Sequence, residues 1–195
     1  MIKVVQVNPE AAANKPLCIC GCVNNEAGQR IAFEMKEWLI RSYRLLQIWH
    51  DGRLYEQPAL RYLQAHCMSS GEPALYIHTR GAFNRWKTTK PTHRMWQHEF
   101  GDLRDKYFNI VHTDQPTAAC PFTGANKHTW YNGFVVNPAA MAAIPEIVPN
   151  EDRMVFERIF KGSDVNVVGT IFDNIDDESK LPPARRYLFD NYLNL

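Results

Sequence analysis

Residues 17–52 read LCICGCVNNEAGQRIAFEMKEWLIRSYRLLQIWHDG, and they set the fold class. Leu17 to Val23 is a short run of apolar and small residues that stops at Asn24–Asn25, the signature of a core strand at its turn. From Ala27 to Leu46, apolar residues recur at Ile31, Phe33, Met35, Trp38, Leu39, Leu45 and Leu46, an approximate helical spacing. The run LQIWHDG then reads as a second short strand, halted by Asp51–Gly52. Strand, helix, strand is the unit from which layered α/β domains are built.

The same alternation continues outward. Tyr55 to Cys67 has helical spacing through Leu60, Leu63 and Cys67, and PALYIHTRG forms a third strand ending in polar residues. A helix is expected over Thr92 to Tyr107 and a strand at FNIVHT, with a loop from Pro116 to Lys127. GFVVN reads as a short strand before a helix that Asn137 caps and Pro138 opens. Pro149 to Phe160 reads as helical and VNVVGTIF as a late strand, with a last short helix at Ala184 to Tyr192. The expectation is an α/β domain with a mainly parallel central sheet flanked by helices. In such sheets ligands gather beyond the carboxyl ends of the strands. Three strand ends are polar: Asn24–Asn25, His50–Asp51 and His78–Thr79–Arg80. In a parallel sheet they converge on one edge.

At 195 residues the chain suits one domain with a full core. No repeat or glycine/serine linker divides it, so residues 1–195 read as a single domain: a leading segment 1–16, a core 17–175 and a tail 176–195. A net charge of +1 gives no overall attraction for nucleic acid. No apolar run reaches the roughly 18–20 residues of a membrane span. The first residues lack the layout of a signal peptide, so the expected compartment is the cytoplasm, or the interior of a host cell if the source is viral. Five cysteines, an odd number, fit a reducing compartment. Cys18, Cys20 and Cys22 alternate on one strand face, but without a second cluster they read as small strand residues rather than zinc ligands.

ALYIHTRG resembles the YxHTKG signature of small glycosyltransferase-like proteins of polysaccharide and capsule gene clusters. Upstream, IWHDGRLYEQPALRYL is similar to the family's strand, glycine turn and following helix. Downstream, HTWYNGFVVNPAAMAAIP resembles its block of His and Asn before aromatic residues, and EDRMVFERIF its terminal Arg-and-Glu helix. These blocks, in order, span most of Leu17 to Phe160. The resemblance implies a single GT-A-like, Rossmann-like domain that transfers a sugar from a nucleoside diphosphate sugar to a glycan or other hydroxyl acceptor. It also implies a divalent cofactor, Mn2+ or Mg2+. Two departures stand out. Asn132 is followed by Gly133, Phe134 and Val135 where the family has GNFWWA. The Asp-x-Asp metal motif usual after the third strand is replaced by His78, Thr79 and Arg80.

Such a reaction needs the nucleoside held, the diphosphate charge stabilised and an acceptor hydroxyl positioned. For the donor the candidates are Asn25, Asp51, His78, Thr79, Arg80 and Gly81. Asp51 would accept hydrogen bonds from ribose or base, or simply make an Asp-Gly turn. Asn24 and Asn25 would contact the base, or cap the helix before Glu26. Arg80 would grip two diphosphate oxygens at once, and Gly81 would let the backbone approach closely. His78 is a phosphate donor, a support or a weak metal ligand. His128, Trp130, Tyr131 and Asn132 are the acceptor or sugar candidates, since aromatic faces pack on sugar rings and Asn both donates and accepts. Trp130 is equally a core residue. Glu157 holds the family position for a catalytic base, although Arg153 four residues earlier is placed for an i,i+4 ion pair with it. Asp114, Asp152 and Asp173 are further bases. The competing reading is a GT-A-like domain without catalysis that binds carbohydrate or protein. A metal-dependent hydrolase would rest only on seven histidines that lack HExxH spacing.

Overall fold

The 17–52 stretch forms strand, helix and strand: β2 (Leu17–Val23), α1 (Glu26–Leu39) and β3 (Arg44–His50). A computed structural model describes residues 3–6, 17–41, 44–54, 56–76, 99, 103–129, 133–148, 150 and 153–172. The chain divides into two compact units, one of Met1–Leu63 with Ile147–Arg153, the other of Gln64–Glu146 with Met154–Leu195. No helix among the described residues is long and apolar enough to cross a membrane.

In the first unit β3 lies between two strands. β2 runs parallel to it, from Leu17 opposite Arg44 to Val23 opposite His50. On its other side is β1 (Lys3–Gln6), antiparallel and drawn from the leading segment, which carried no strand expectation. The pleat sends Cys18, Cys20 and Cys22 to one face with Leu45, Gln47 and Trp49. α1 covers that face, and Gln47 Nε2 donates to the Ala32 carbonyl at 3.3 Å. Gly21, Ile48 and His50 share the other face, where Ala59 of α2 (Gln57–Ser70) comes close to Gly21. A Cβ on Gly21 would stand 3.0 Å from the Cβ of Ala59. Gly21 is therefore what lets α2 lie so close.

All five cysteines are free. Burial and the neighbouring Cys20 push the Cys18 thiol up to about 12. Cys22, whose Sγ is 3.7 Å from Cys20 Sγ, hydrogen-bonds to Cys20, which lowers the Cys20 pKa and raises its own.

The second unit is built on β5 (Thr117–Gly124), buried at every position. β7 (Phe134–Val136) and β6 (His128–Thr129) pair with it antiparallel, β4 (Ala74–Tyr76) adds antiparallel to β7, and β8 (Asn166–Phe172) pairs parallel with β5. The α/β class is as expected. One mainly parallel central sheet is not what the described strands form: the parallel pairings are β2–β3 and β5–β8, and the rest are antiparallel.

Three further expectations change. Ala125–Lys127 is a 3-10 turn, and most of the 116–127 segment, Thr117–Gly124, is a central strand and not a loop. Its Ala118 and Ala119 are fully buried, small because both faces are covered, and Pro121 sits where the register shifts between Cys120 and Phe122. FNIVHT is not a strand: Arg104–Val111 is a helix, α3, that buries Tyr107 and Val111 against Ala119 and Val135. A continuous apolar run does not distinguish the two states. Among the described residues of the expected 149–160 helix, Arg153–Arg158 form a 3-10 turn.

The expected cap at Asn137 holds. Its Oδ1 accepts from Ala140 N at 2.9 Å to open α4 (Pro138–Ala142) and from Thr117 N at 3.1 Å. Its Nδ2 reaches the carbonyls of Val111, Thr113 and Gln115 at 3.3, 2.9 and 2.7 Å.

Candidate functional site

The parallel pair β2–β3 brings two of the three polar strand ends together. Asn24 N donates to the His50 carbonyl at 2.8 Å, tying the strand ends to each other. Beyond them lies a cleft of about 550 Å3 lined by Val23, Asn24, Asn25, His50, Asp51, Gly52 and Arg53. The strand before the third end, β4, pairs with β7 of the second unit, and the end itself, His78–Thr79–Arg80, lies outside the described residues.

The helix that follows β2 starts unusually tight. Asn25 Oδ1 accepts from Gly28 N at 2.8 Å, which makes Asn25 the cap of α1. Gly28 is obligatory here: a Cβ would fall 2.0 Å from the Val23 carbonyl oxygen, a backbone atom that cannot swing aside. The cap uses only the oxygen of Asn25, so its Nδ2 still offers two N–H groups. Asn24 is likewise half used, its Oδ1 accepting from Gln29 Nε2 at 3.4 Å.

Asp51 makes the turn and more. Its Oδ1 accepts from Arg53 N at 2.9 Å, and the Arg53 guanidinium closes a fork on the carboxylate, Nη2 to Oδ2 at 2.7 Å and Nε to Oδ1 at 3.2 Å. Side-chain and then backbone hydrogen bonds from Arg53 hold the Asp51 carboxyl down at about 2. The pair is exposed, with Arg53 89% and Asp51 48% accessible, so it orients these groups more than it stabilises the fold.

His50, which the sequence marked only as part of a polar strand end and gave no role, is the buried polar side chain of the cleft, 6% exposed. Its Nδ1 lies 2.9 Å from the Asp51 carbonyl oxygen. A carbonyl only accepts, so Nδ1 carries a proton and donates to it.

His128 is buried in β6, opposite Gly124 of β5, so this acceptor candidate is held within the sheet of the second unit. The backbone of Glu157 lies in the Arg153–Arg158 turn, and its side chain is outside the described part of the chain. His78, Thr79, Arg80, Gly81, Trp130, Tyr131 and Asn132 also lie outside the described residues. Among those described, no three His, Cys, Asp or Glu side chains gather to hold a metal ion. A second polar cluster unmarked by the sequence sits in the second unit. The Tyr107 hydroxyl donates to the buried Glu99 carboxylate and is 2.9 Å from Thr170 Oγ1; burial and Glu99 push its pKa up.

The cleft thus offers amide donors from two asparagines, a guanidinium held in place and one imidazole. That set suits a polar ligand carrying both hydrogen-bond donors and acceptors. No protein-family model, curated protein or solved structure matches the chain.

Proposed function

We propose that the chain is a glycosyltransferase that moves a sugar from a nucleoside diphosphate sugar to a glycan or other hydroxyl acceptor in the cytoplasm. The observation that supports it is the polar cleft at the carboxyl ends of the parallel β2–β3 pair, where α/β domains bind nucleotides. In this reading the nucleoside lies against Asn24, Asn25 and the Asp51–Arg53 turn. The family resemblance separately gives Arg80, together with His78, Thr79 and Gly81, the role of meeting the diphosphate charge, and gives His128, Trp130, Tyr131 and Asn132 the sugar or acceptor. Glu157 takes the acceptor proton. The resemblance of ALYIHTRG and its flanking blocks to capsule-cluster enzymes points the same way, and extends the reading to a GT-A-like arrangement of the whole chain. A Mn2+ or Mg2+ ion, where used, would neutralise the diphosphate in company with Arg80.

One observation favours a binding domain without catalysis. Asp51, the one carboxylate among the described residues that line the cleft, is already engaged by Arg53. The two readings separate experimentally. Thermal unfolding is measured with uridine, guanosine, cytidine and adenosine diphosphates and their sugars, each with and without Mn2+, followed by donor hydrolysis and transfer assays. Stabilisation with turnover that Glu157→Ala and Arg80→Ala abolish is the expected result. Stabilisation without turnover establishes the binding domain, and no stabilisation by any nucleotide ends both nucleotide readings.

A further inference from the structure

We propose that Cys20 and Cys22 form a peroxide-reactive dithiol, in which Cys20 is oxidised first and Cys22 then closes a reversible disulfide on it. The two thiols stand on one face of β2, with Cys20 Sγ and Cys22 Sγ 3.7 Å apart. The Cys22 S–H is aimed back at residue 20, donating to Cys20 Sγ and lying 3.6 Å from the Cys20 carbonyl oxygen. A disulfide needs sulfurs about 2.05 Å apart and α-carbons roughly 4.4–6.8 Å apart. Alternate residues of a strand stand about 6.6 Å apart, at the upper edge of that range. The residue between the two cysteines is Gly21, whose backbone can shorten the step with least strain.

The two sulfurs are not equivalent. Cys22 is buried, whereas Cys20 is partly exposed on β2, an edge strand of the three-stranded sheet among the described residues. The S–H donated by Cys22 favours the Cys20 thiolate and lowers its pKa, outweighing the opposite effect of burial. The thiolate is the nucleophile, so Cys20 attacks and Cys22 resolves. Cys18, two residues the other way, stays a thiol because burial pushes it up to about 12. Partial burial of the pair admits a small hydroperoxide more readily than the disulfide of another protein. In the first step the Cys20 thiolate attacks one peroxide oxygen and the O–O bond breaks. The hydroxide that leaves takes up the proton Cys20 had lost to solvent, and Cys20 becomes a sulfenic acid. Cys22 Sγ then attacks Cys20 Sγ; the S–S bond forms, the S–O bond breaks, and the hydroxyl departs as water with the Cys22 proton. Two thiols are oxidised by two electrons while one peroxide is reduced to two waters. Transient disulfides of this kind are compatible with a reducing compartment.

The test uses the folded full chain, reduced and then freed of reductant. Stoichiometric hydrogen peroxide is added, remaining thiols are blocked with N-ethylmaleimide in urea, and tryptic peptides are weighed without reduction. The peptide of residues 4–30 holds all three strand cysteines. It should become lighter by two hydrogens and carry one maleimide, on Cys18, while the fully buried Cys67 and Cys120 are blocked as thiols. Dithiothreitol added before blocking should restore three maleimides. Cys22→Ser should leave Cys20 as a sulfenic acid that dimedone traps, and Cys20→Ser should leave Cys18 and Cys22 unoxidised. Circular dichroism checks that each variant folds, and the parent's peptide map decides by itself where one does not. Three maleimides on the parent peptide after peroxide, a disulfide that engages Cys18 or bridges two chains, or a sulfenic acid that persists on Cys20 overturns the proposal.

Discussion

Asp51 shows how one residue can serve a turn and tune its own charge. Its carboxyl sits at about 2, below the ordinary value of about 3.9, because Arg53 donates to it from both side chain and backbone. A group depressed on folding adds stability that is complete above the unfolded value and is lost as pH falls through the folded one. Here that window runs from about 3.9 down to about 2. Carboxylate titration by NMR should find Asp51 ionised throughout the usual range of its neighbours. Arg53→Ala should return it to an ordinary aspartate; an unchanged midpoint in that variant would remove Arg53 as the cause. The Asp-Gly turn was readable from composition alone, and so was the asparagine cap before Glu26, because both are local chemistry. The setting of His50 was not, since the hydrogen bond of its Nδ1 depends on the carbonyl of the next residue in a particular turn.

At the scale of elements, the junction of β2 and α1 turns on Gly28. Gly28→Ala must push its methyl away from the Val23 carbonyl, moving either the strand end or the first helical turn. The expected loss is at the upper end of about 1–3 kcal/mol, the usual range for overpacking. Urea unfolding measures it, and Gly71→Ala is no control because Gly71 has positive φ; an exposed α1 change such as Arg30→Ala is the better one. Asn137 plays the corresponding part in the second unit, where it joins the end of α3, the loop before β5 and the start of α4. Asn137→Asp keeps the accepting oxygen but turns three N–H···O contacts into charge against carbonyl. At neutral pH it should cost at least about 3 kcal/mol, and a loss under 1 kcal/mol would show that the hub relaxes around it. These elements also show what pattern alone conveys. β2 and β8 announced themselves as short apolar runs between turns. β5 did not, because Ala118, Ala119 and Pro121 look like loop composition until their neighbours on both faces are known. α3 was hidden by Phe108, Asn109, Ile110 and Val111, which suit a strand equally well out of context.

For the whole molecule, the nucleotide reading carries a magnitude. A ligand at one hundred times its dissociation constant stabilises the native state by about 2.7 kcal/mol. In a chain of this size that is a rise of roughly 5–10 °C in the unfolding midpoint. Because the chain divides into two compact units, a melt in two steps should show the rise in the transition that includes residues 17–54. A rise confined to the other step would move the ligand away from the β2–β3 cleft. Asn137 bears finally on how the protein ages. Asparagine deamidates when the nitrogen of the following residue attacks the side-chain amide, and the product is the aspartate that this hub cannot accommodate. The residue that follows is Pro138, whose nitrogen carries no hydrogen and cannot close that ring. The proline that opens α4 therefore also protects, for the lifetime of the chain, the asparagine on which the second unit is fastened.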